Sequence, residues 1–303
     1  MQSIENSSTP KKALVVEGGG MRGVFTAGVL DAFLDKRLRD FDSFYGVSAG
    51  ALNLTSFIAG QRGRSLNLFT NLCLEPEFIS MARHFKGGHL FDLDWFFNKI
   101  NLQYSLHTNR FKEQLHDREF QAVTTNVDSG EAVYLNISKE TSSQDMTRIL
   151  KASSALPMIY REPIIIDEMP LMDGSLADPL PVFKAIADGC TEIILVRTRP
   201  LRDRKKPSTS SRMIAWQYRR QPIIAELIRQ QYSVYNQSVE QFDALEQSNV
   251  DNIRVIQVAP LSPLNSSRST RDRARLVADY HLGYSQGFAL ARKLRSQSST
   301  VVE

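Results

Sequence analysis

Apolar positions along the chain fall into short runs whose period changes from segment to segment. Residues 12–17, KALVVE, form a brief β-branched run that stops at three glycines, which predicts a buried strand. Past the glycines, Ala27, Leu30, Phe33 and Leu34 recur at helical spacing and predict one apolar face. Residues 41–47 read as a second strand, and 49–59, AGALNLTSFIA, as a buried helix stopped at Gly60. Strand, helix, strand, helix in so short a length indicates a parallel sheet covered by helices. Residues 61–118 read as mostly helical and rich in aromatics. Residues 119–137 read as two strands joined at Asp128-Ser129-Gly130. A helix over 143–153, strands over 163–167 and 169–172, a helix over 179–187 and a strongly apolar strand over 192–198 follow. The polar stretch 207–211, PSTSS, reads as a loop. Pro222 opens a long helix marked by Ile228, Tyr232, Tyr235, Val239 and Phe242 at steps of four and three. A strand over 252–258 and a helix over about 270–294 complete the pattern, and the polar end is expected to fray.

Composition adds exclusions. With 303 residues, 42% hydrophobic and 23% charged, the chain is an ordinary globular protein, neither a rod nor disordered. No run approaches the ~18 apolar residues that a membrane span needs. The first twelve residues are polar without an apolar signal region, so a cytoplasmic protein is expected. Cys73 and Cys190 stand in no CxxC pair and beside no histidine, so neither a disulfide framework nor a zinc site is expected. The net charge of +4 is uneven. Residues 197–220 hold Arg197, Arg199, Arg202, Arg204, Lys205, Lys206, Arg212, Arg219 and Arg220 against Asp203 alone, which makes that window +8 and leaves −4 for the rest. A mildly acidic body with one basic segment is not the profile of a nucleic-acid binder.

Two glycine motifs carry the chemistry. Gly18-Gly19-Gly20-Met21-Arg22-Gly23 lies at the first strand-to-helix junction, where glycines let backbone N–H groups point outward and accept negative charge. Gly18, Gly20 and Gly23 fit the dinucleotide fingerprint G-x-G-x-x-G, and the same nest also suits a transient oxyanion. Gly46-Val47-Ser48-Ala49-Gly50 fits G-x-S-x-G at the second junction, where small neighbours permit the sharp turn that exposes a nucleophilic serine. Both motifs fall on one edge of a parallel sheet. A dinucleotide domain wants an acid at the end of its second strand for the ribose, and Asp42 comes too early for that. The oxyanion reading is therefore favoured over the dinucleotide one.

Serine needs a base. Among His84, His89, His107, His116 and His281, only His281 has the chain order of an ordinary hydrolase, and its alignment with Val277, Tyr284 and Phe288 suggests a core histidine. Asp173, after an apolar strand and before Gly174, reads either as a base at another strand edge or as a plain Asp-Gly turn.

These three blocks in order, with Ala152-Ser153-Ser154-Ala155-Leu156-Pro157 before the aspartate, resemble the patatin-like phospholipases over roughly residues 12–200. The resemblance implies a three-layer α/β/α sandwich with a mostly parallel central sheet, and a serine hydrolase that cleaves lipid acyl esters without metal or organic cofactor. By position it implies Ser48 as nucleophile, Asp173 as base and an oxyanion hole from the amides of Gly18, Gly19, Gly20 and Met21. Arg22, Gly23, Gly46, Gly50 and Gly174 would support them. Glu17 stands where many members carry aspartate, and Ser175 where glycine or alanine is usual. The alternatives are a nucleotide-binding module on the glycine loop, or a lipid acyltransferase using the same acyl-enzyme. The expected organisation is a polar tail over 1–11, a catalytic domain over 12–200, a mainly helical extension over 201–294 and a frayed tail over 295–303.

Three further features bear on substrate. Residues 91–97, FDLDWFF, suit core packing, the lining of an acyl pocket or a mobile cover. Asn53, one turn into the helix after Ser48, reads as a polar residue on a solvated face, or else as a hydrogen-bond partner near the nucleophile. The basic segment 197–220, with Trp216 and Met213, suits either a solvated loop or peripheral contact with an anionic membrane.

Overall fold

A computed structural model describes residues 10–157, 159–207, 209–248 and 253–299. Its strands are β1 (Lys12–Val16), β2 (Ser43–Val47), β3 (Glu119–Asn126), β4 (Ala132–Asn136), β5 (Ile164–Ile166), β6 (Met169–Asp173), β7 (Glu192–Val196) and β8 (Arg254–Val258). They form one sheet in the order β5-β6-β3-β2-β1-β7-β8, with β4 paired to β3. Pairings β3-β2, β2-β1, β1-β7 and β7-β8 are parallel, whereas β4, β5 and β6 run antiparallel to their neighbours.

The helices are α1 (Gly23–Asp35), α2 (Ala49–Ile58), α3 (Arg64–Thr70), α4 (Met81–Phe85), α5 (Leu93–Gln103), α6 (Thr108–Leu115), α7 (Ser143–Ser154), α8 (Val182–Ala187), α9 (Thr209–Gln217), α10 (Pro222–Ser248) and α11 (Arg273–Ser299). Alternation along the central strands sorts them into layers. Leu14 and Val16 of β1 and Ile194 and Val196 of β7 face a core shared with α1, α2, α7 and α11. Ala13 and Val15, with Ile193 and Leu195, face Val182 and Ala185 of α8 and Tyr235, Val239 and Phe242 of α10. The architecture is thus the three-layer α/β/α sandwich with a mostly parallel sheet.

The C-terminal part is built into this body. β8 extends the sheet beside β7, and α11 crosses α1 at backbone contact distance. At that crossing Gly28 faces the Tyr280 carbonyl and Gly283 faces the Phe25 carbonyl, so a methyl group at either place would overlap main-chain oxygen.

Several elements differ from the sequence expectation. α1 is buried on nearly every side rather than along one face, because α2 and α11 cover what the sheet does not. The loop expected over 207–211 gives way to α9 from Thr209, since Ile214 and Ala215 bury against Ile224, Ala225 and Ile228 of α10. α8 starts only at Val182, after Pro181. α11 continues to Ser299, where a frayed tail was expected; Arg295 reaches the Lys36 carbonyl and Gln297 accepts from Arg254.

Candidate active site

The site lies where β2 and β6 meet on one edge of β3. Val47 pairs with Val123 and Asp173 pairs with the next residue, Thr124. β4 occupies the opposite edge over Gln121–Thr125, so β6 takes up the β3 edge just where β2 leaves it. Ser48, the residue after β2, therefore arrives beside Asp173, the last residue of β6. Ser48 holds φ +55° and ψ −127°, a region that side chains rarely adopt, and this turn lifts it off the strand into the start of α2.

The C-terminal turn of α7 ties the two together. The Ser48 N–H donates to Ser153 Oγ (2.9 Å), and Ser153 Oγ donates to the Val123 carbonyl (2.7 Å). Two residues on, the Ala155 carbonyl accepts from the Asp173 N–H (3.1 Å). Asp173 is buried and accepts from the Ser175 N–H at 2.8 Å, and the Ser48 hydroxyl donates toward the same carboxyl. Burial raises the Asp173 carboxyl above its ordinary range; the Ser175 N–H, the Ser48 and Ser175 hydroxyls and the Arg268 charge pull it back.

The glycine loop closes over this pair. A side chain at Gly18 would stand 3.0 Å from Ser48 Cβ, and Gly20 holds φ +56° with the Arg268 carbonyl 2.6 Å from where its Cβ would be. Among the described residues, the amides of Gly18, Gly19 and Gly20 have no acceptor. Met21 departs from the sequence assignment: its N–H donates to the Arg268 carbonyl (3.1 Å), which removes it from the open donors. Behind the loop, the Glu17 carboxylate accepts the Thr198 N–H (2.6 Å) and Thr198 Oγ1 donates to the Gly18 carbonyl (3.2 Å). Gly46 and Gly50 back onto Ala51 and the Val16 carbonyl, Gly174 onto the Val123 carbonyl, and Gly23 onto Phe69. Arg22 has its Nε buried and without a hydrogen-bond partner among the described residues. Gly18, Gly19, Gly20, Met21, Ser48 and Asp173 line one cleft, and the remaining glycines pack behind it.

A cleft of about 810 Å³, its open mouth included, runs from the loop into an apolar end lined by Leu52, Phe69, Phe78, Phe91, Phe96 and Ile159. Phe78 stacks on Phe96 with centroids 4.6 Å apart, so the aromatic run serves both core and cleft wall. None of the five histidines lines this cleft. His281 is exposed, not a core residue: the glycine seam of α11 turns Leu276, Tyr280 and Gly283 inward and leaves His281 outside. Asn53 is likewise not solvated; it is buried and donates to the Gly23 carbonyl at 2.9 Å. Sequence reasoning missed Glu17, Lys205 and Arg268 as cleft residues. Glu17 was visible as a departure at a motif edge and Lys205 was counted only as charge, while Arg268 had no signal. Among the described residues, no group of three or more His, Cys, Asp or Glu is placed to hold a metal.

The basic segment divides in two. Arg197 is buried against the Tyr235 hydroxyl and Gln257, Arg199 pairs with Asp203, Arg204 pairs with Asp243, and Lys205 turns into the cleft. Beyond it, Met213 and Trp216 of α9 are 63% and 62% exposed, and Arg219 stands 4.3 Å over the Trp216 ring. Among the described residues, no helix is long and apolar enough to cross a membrane.

A family model described as patatin-like phospholipase matches residues 14–186, and one described as a domain of unknown function matches residues 221–297. An uncharacterized Escherichia coli protein, YjjU, is 30% identical over 282 residues, covering 89% of this chain and 74% of its own length. Among solved structures, VipD from Legionella pneumophila is 14% identical with a TM-score of 0.47, over 94% of this chain and 67% of its own. Human GIVD cytosolic phospholipase A2, solved with methyl gamma-linolenyl fluorophosphonate, is 13% identical with a TM-score of 0.42, over 95% of this chain and 59% of its own.

Proposed function

Because this chain belongs to the patatin-like phospholipase family, we propose that it hydrolyses lipid acyl esters with Ser48 as nucleophile and Asp173 as the base. The observation that carries the reading is the register on β3, which sets Ser48 and a buried carboxylate side by side where no histidine reaches. Ser48 Oγ attacks the ester carbonyl carbon as Asp173 takes its proton. The carbonyl oxygen becomes an oxyanion facing the open amides of Gly18, Gly19 and Gly20, and each such donor contributes about 3 kcal/mol when its loss is measured. Collapse breaks the bond to the leaving alkoxide, which receives the proton from Asp173. Water then gives a proton to Asp173 as its oxygen attacks the acyl-enzyme carbonyl; collapse breaks the bond to Ser48 Oγ, which takes that proton back from Asp173, and the fatty acid leaves. The apolar end of the cleft takes the acyl chain.

A fluorophosphonate probe tests this. Wild-type protein should be labelled at Ser48, Ser48→Ala should lose label and hydrolysis together, and Asp173→Asn should lose orders of magnitude in kcat while remaining folded. His281→Ala should keep its activity. A labelled, hydrolytic Ser48→Ala protein would overturn the assignment.

The lipid is reached from an aqueous face. Met213, Trp216, Arg212, Arg219 and Arg220, with the 79%-exposed Phe85 and Arg161 holding the His84 carbonyl, support peripheral contact with an anionic bilayer through α9 and α4. The contact proposed here is confined to the outer half of the basic segment.

A further inference from the structure

We propose that a second cavity, bordering the catalytic cleft at Leu52 and holding the Arg64 guanidinium, is a binding site for the carboxylate of a fatty acid, whose chain lies along the cavity's apolar wall. The site is separate from the one that holds Ser48 and does not depend on how Ser48 reacts.

The cavity lies among α2, α3, α5, α6 and α7 and encloses about 870 Å³, its open mouth included, which is the size of an ordinary small-molecule site. Leu52, Phe97, Ile100, Leu106, Met146 and Leu150 give it an apolar wall. The remaining lining side chains are neutral and polar, apart from Arg64. Of all these residues only Leu52 also lines the cleft at Ser48, so the two cavities are neighbours with separate linings.

Arg64 opens α3 and is only 8% exposed. Its Nε donates to the Tyr104 carbonyl (2.9 Å) and its Nη1 to Ser56 Oγ (2.8 Å), which fixes the plane of the guanidinium. Both acceptors are neutral. Among the described residues Nη2 has no acceptor and Arg64 has no ion pair. No aspartate or glutamate lines the cavity. The acids nearest along the fold are engaged elsewhere: Asp31 accepts the Gly63 N–H and the Tyr280 hydroxyl, and Asp35 pairs with Arg62. Burial alone lowers the Arg64 guanidinium to about 10, with no acid raising it, unlike Arg22 and Arg268, which both feel Glu17. An enclosed cation without a counter-ion is costly. A ligand with one negative charge and an apolar tail relieves that cost and covers the apolar wall together. A planar guanidinium suits the two oxygens of a carboxylate, and the single charge of a fatty acid matches the single cation here.

The test uses Ser48→Ala protein, laurate below its micelle concentration, and dodecanol as the uncharged probe of equal length. In titration calorimetry laurate should bind about tenfold more tightly than dodecanol, the worth of one hydrogen bond to a charged group, and Arg64→Gln should remove that difference. Because Arg64→Gln also cuts the bonds to Tyr104 and Ser56, a second variant leaves them intact: Thr147→Trp fills the cavity from α7 and should keep the unfolding midpoint while losing laurate. A diazirine-bearing laurate should crosslink to residues 97–108 or 143–150. None of these readouts needs hydrolysis. Absence of laurate binding, equal affinity for laurate and dodecanol, a folded Thr147→Trp protein that binds laurate as tightly as its parent, or crosslinks confined to the Ser48 cleft at Phe69, Phe78 and Phe91 would each overturn the site.

Discussion

Replacing Ser153 with alanine tests how the turn at Ser48 is held. The Ser153 hydroxyl is fully buried and bridges the Ser48 N–H at 2.9 Å to the Val123 carbonyl at 2.7 Å. Alanine removes both bonds and leaves the Ser48 N–H and the Val123 carbonyl without the hydroxyl that joins them. An orphaned buried N–H costs about 1–3 kcal/mol. That loss falls on a residue already strained by its φ of +55°, a conformation that costs about 1–3 kcal/mol and persists only where its surroundings impose it. At roughly 2–4 °C per kcal/mol, the unfolding midpoint should fall by about 2–12 °C. If the turn relaxes, the same energy is lost from the transition state, and kcat should drop roughly 5- to 150-fold with KM little changed. The assay is scanning fluorimetry beside steady-state kinetics on a short-chain p-nitrophenyl ester. A Ser153→Ala protein with wild-type midpoint and kcat would show that α7 does not hold the Ser48 turn.

Other outcomes follow from the same geometry. Because burial raises the Asp173 carboxyl and Arg268 lowers it, kcat/KM should rise with pH along a limb above the ordinary aspartate value, and Arg268→Gln should move that limb higher still; a pH–rate profile with an unmoved limb would refute the coupling. With a folded pKa above the unfolded one, the favourable contribution of Asp173 is present at low pH and lost as pH rises through the raised value, so Asp173→Asn should unfold at a higher temperature than wild type at neutral pH. Gly20→Val should abolish hydrolysis while the protein folds, since valine at φ +56° meets the Arg268 carbonyl; activity in the variant would place the oxyanion donors elsewhere. Trp216→Gln with Arg219→Gln and Arg220→Gln should reduce sedimentation with anionic vesicles at low salt and spare soluble-ester turnover, each basic residue contributing about 1 kcal/mol near an anionic surface. Equal sedimentation of wild type with neutral vesicles would contradict it.

What the sequence disclosed was local. Each glycine block sits at a strand end, and backbone demands at such turns restrict residue choice enough to be read directly, as at Gly18–Gly23 and Gly46–Gly50. Ser153 was also foreshadowed by its small-residue block, because only small side chains fit where α7 meets β3. What stayed hidden was assembly across distance. Arg268 reaches Gly20 through a main-chain carbonyl, which no side-chain pattern reports. The His281 face was misassigned because Val277, Tyr284 and Phe288 looked like the apolar stripe, whereas the inward seam is set by Gly283 and Gly287 against α1. Asn53 looked solvated for the same reason: its partner is a backbone carbonyl thirty residues away. Charge counting also grouped Lys205 with its neighbours, although the chain folds it inward.

The seat of the glycine loop also sets an order of events during synthesis. A nascent chain that has emerged as far as β7 already carries the serine, the aspartate and the loop, yet the carbonyl that receives the Met21 N–H belongs to Arg268, which follows only after β8. Until Arg268 arrives and α11 locks onto α1, Gly20 has no wall against which to hold its left-handed turn. A chain that has not yet reached Arg268 thus carries Ser48 and Asp173 before the loop beside them has its seat.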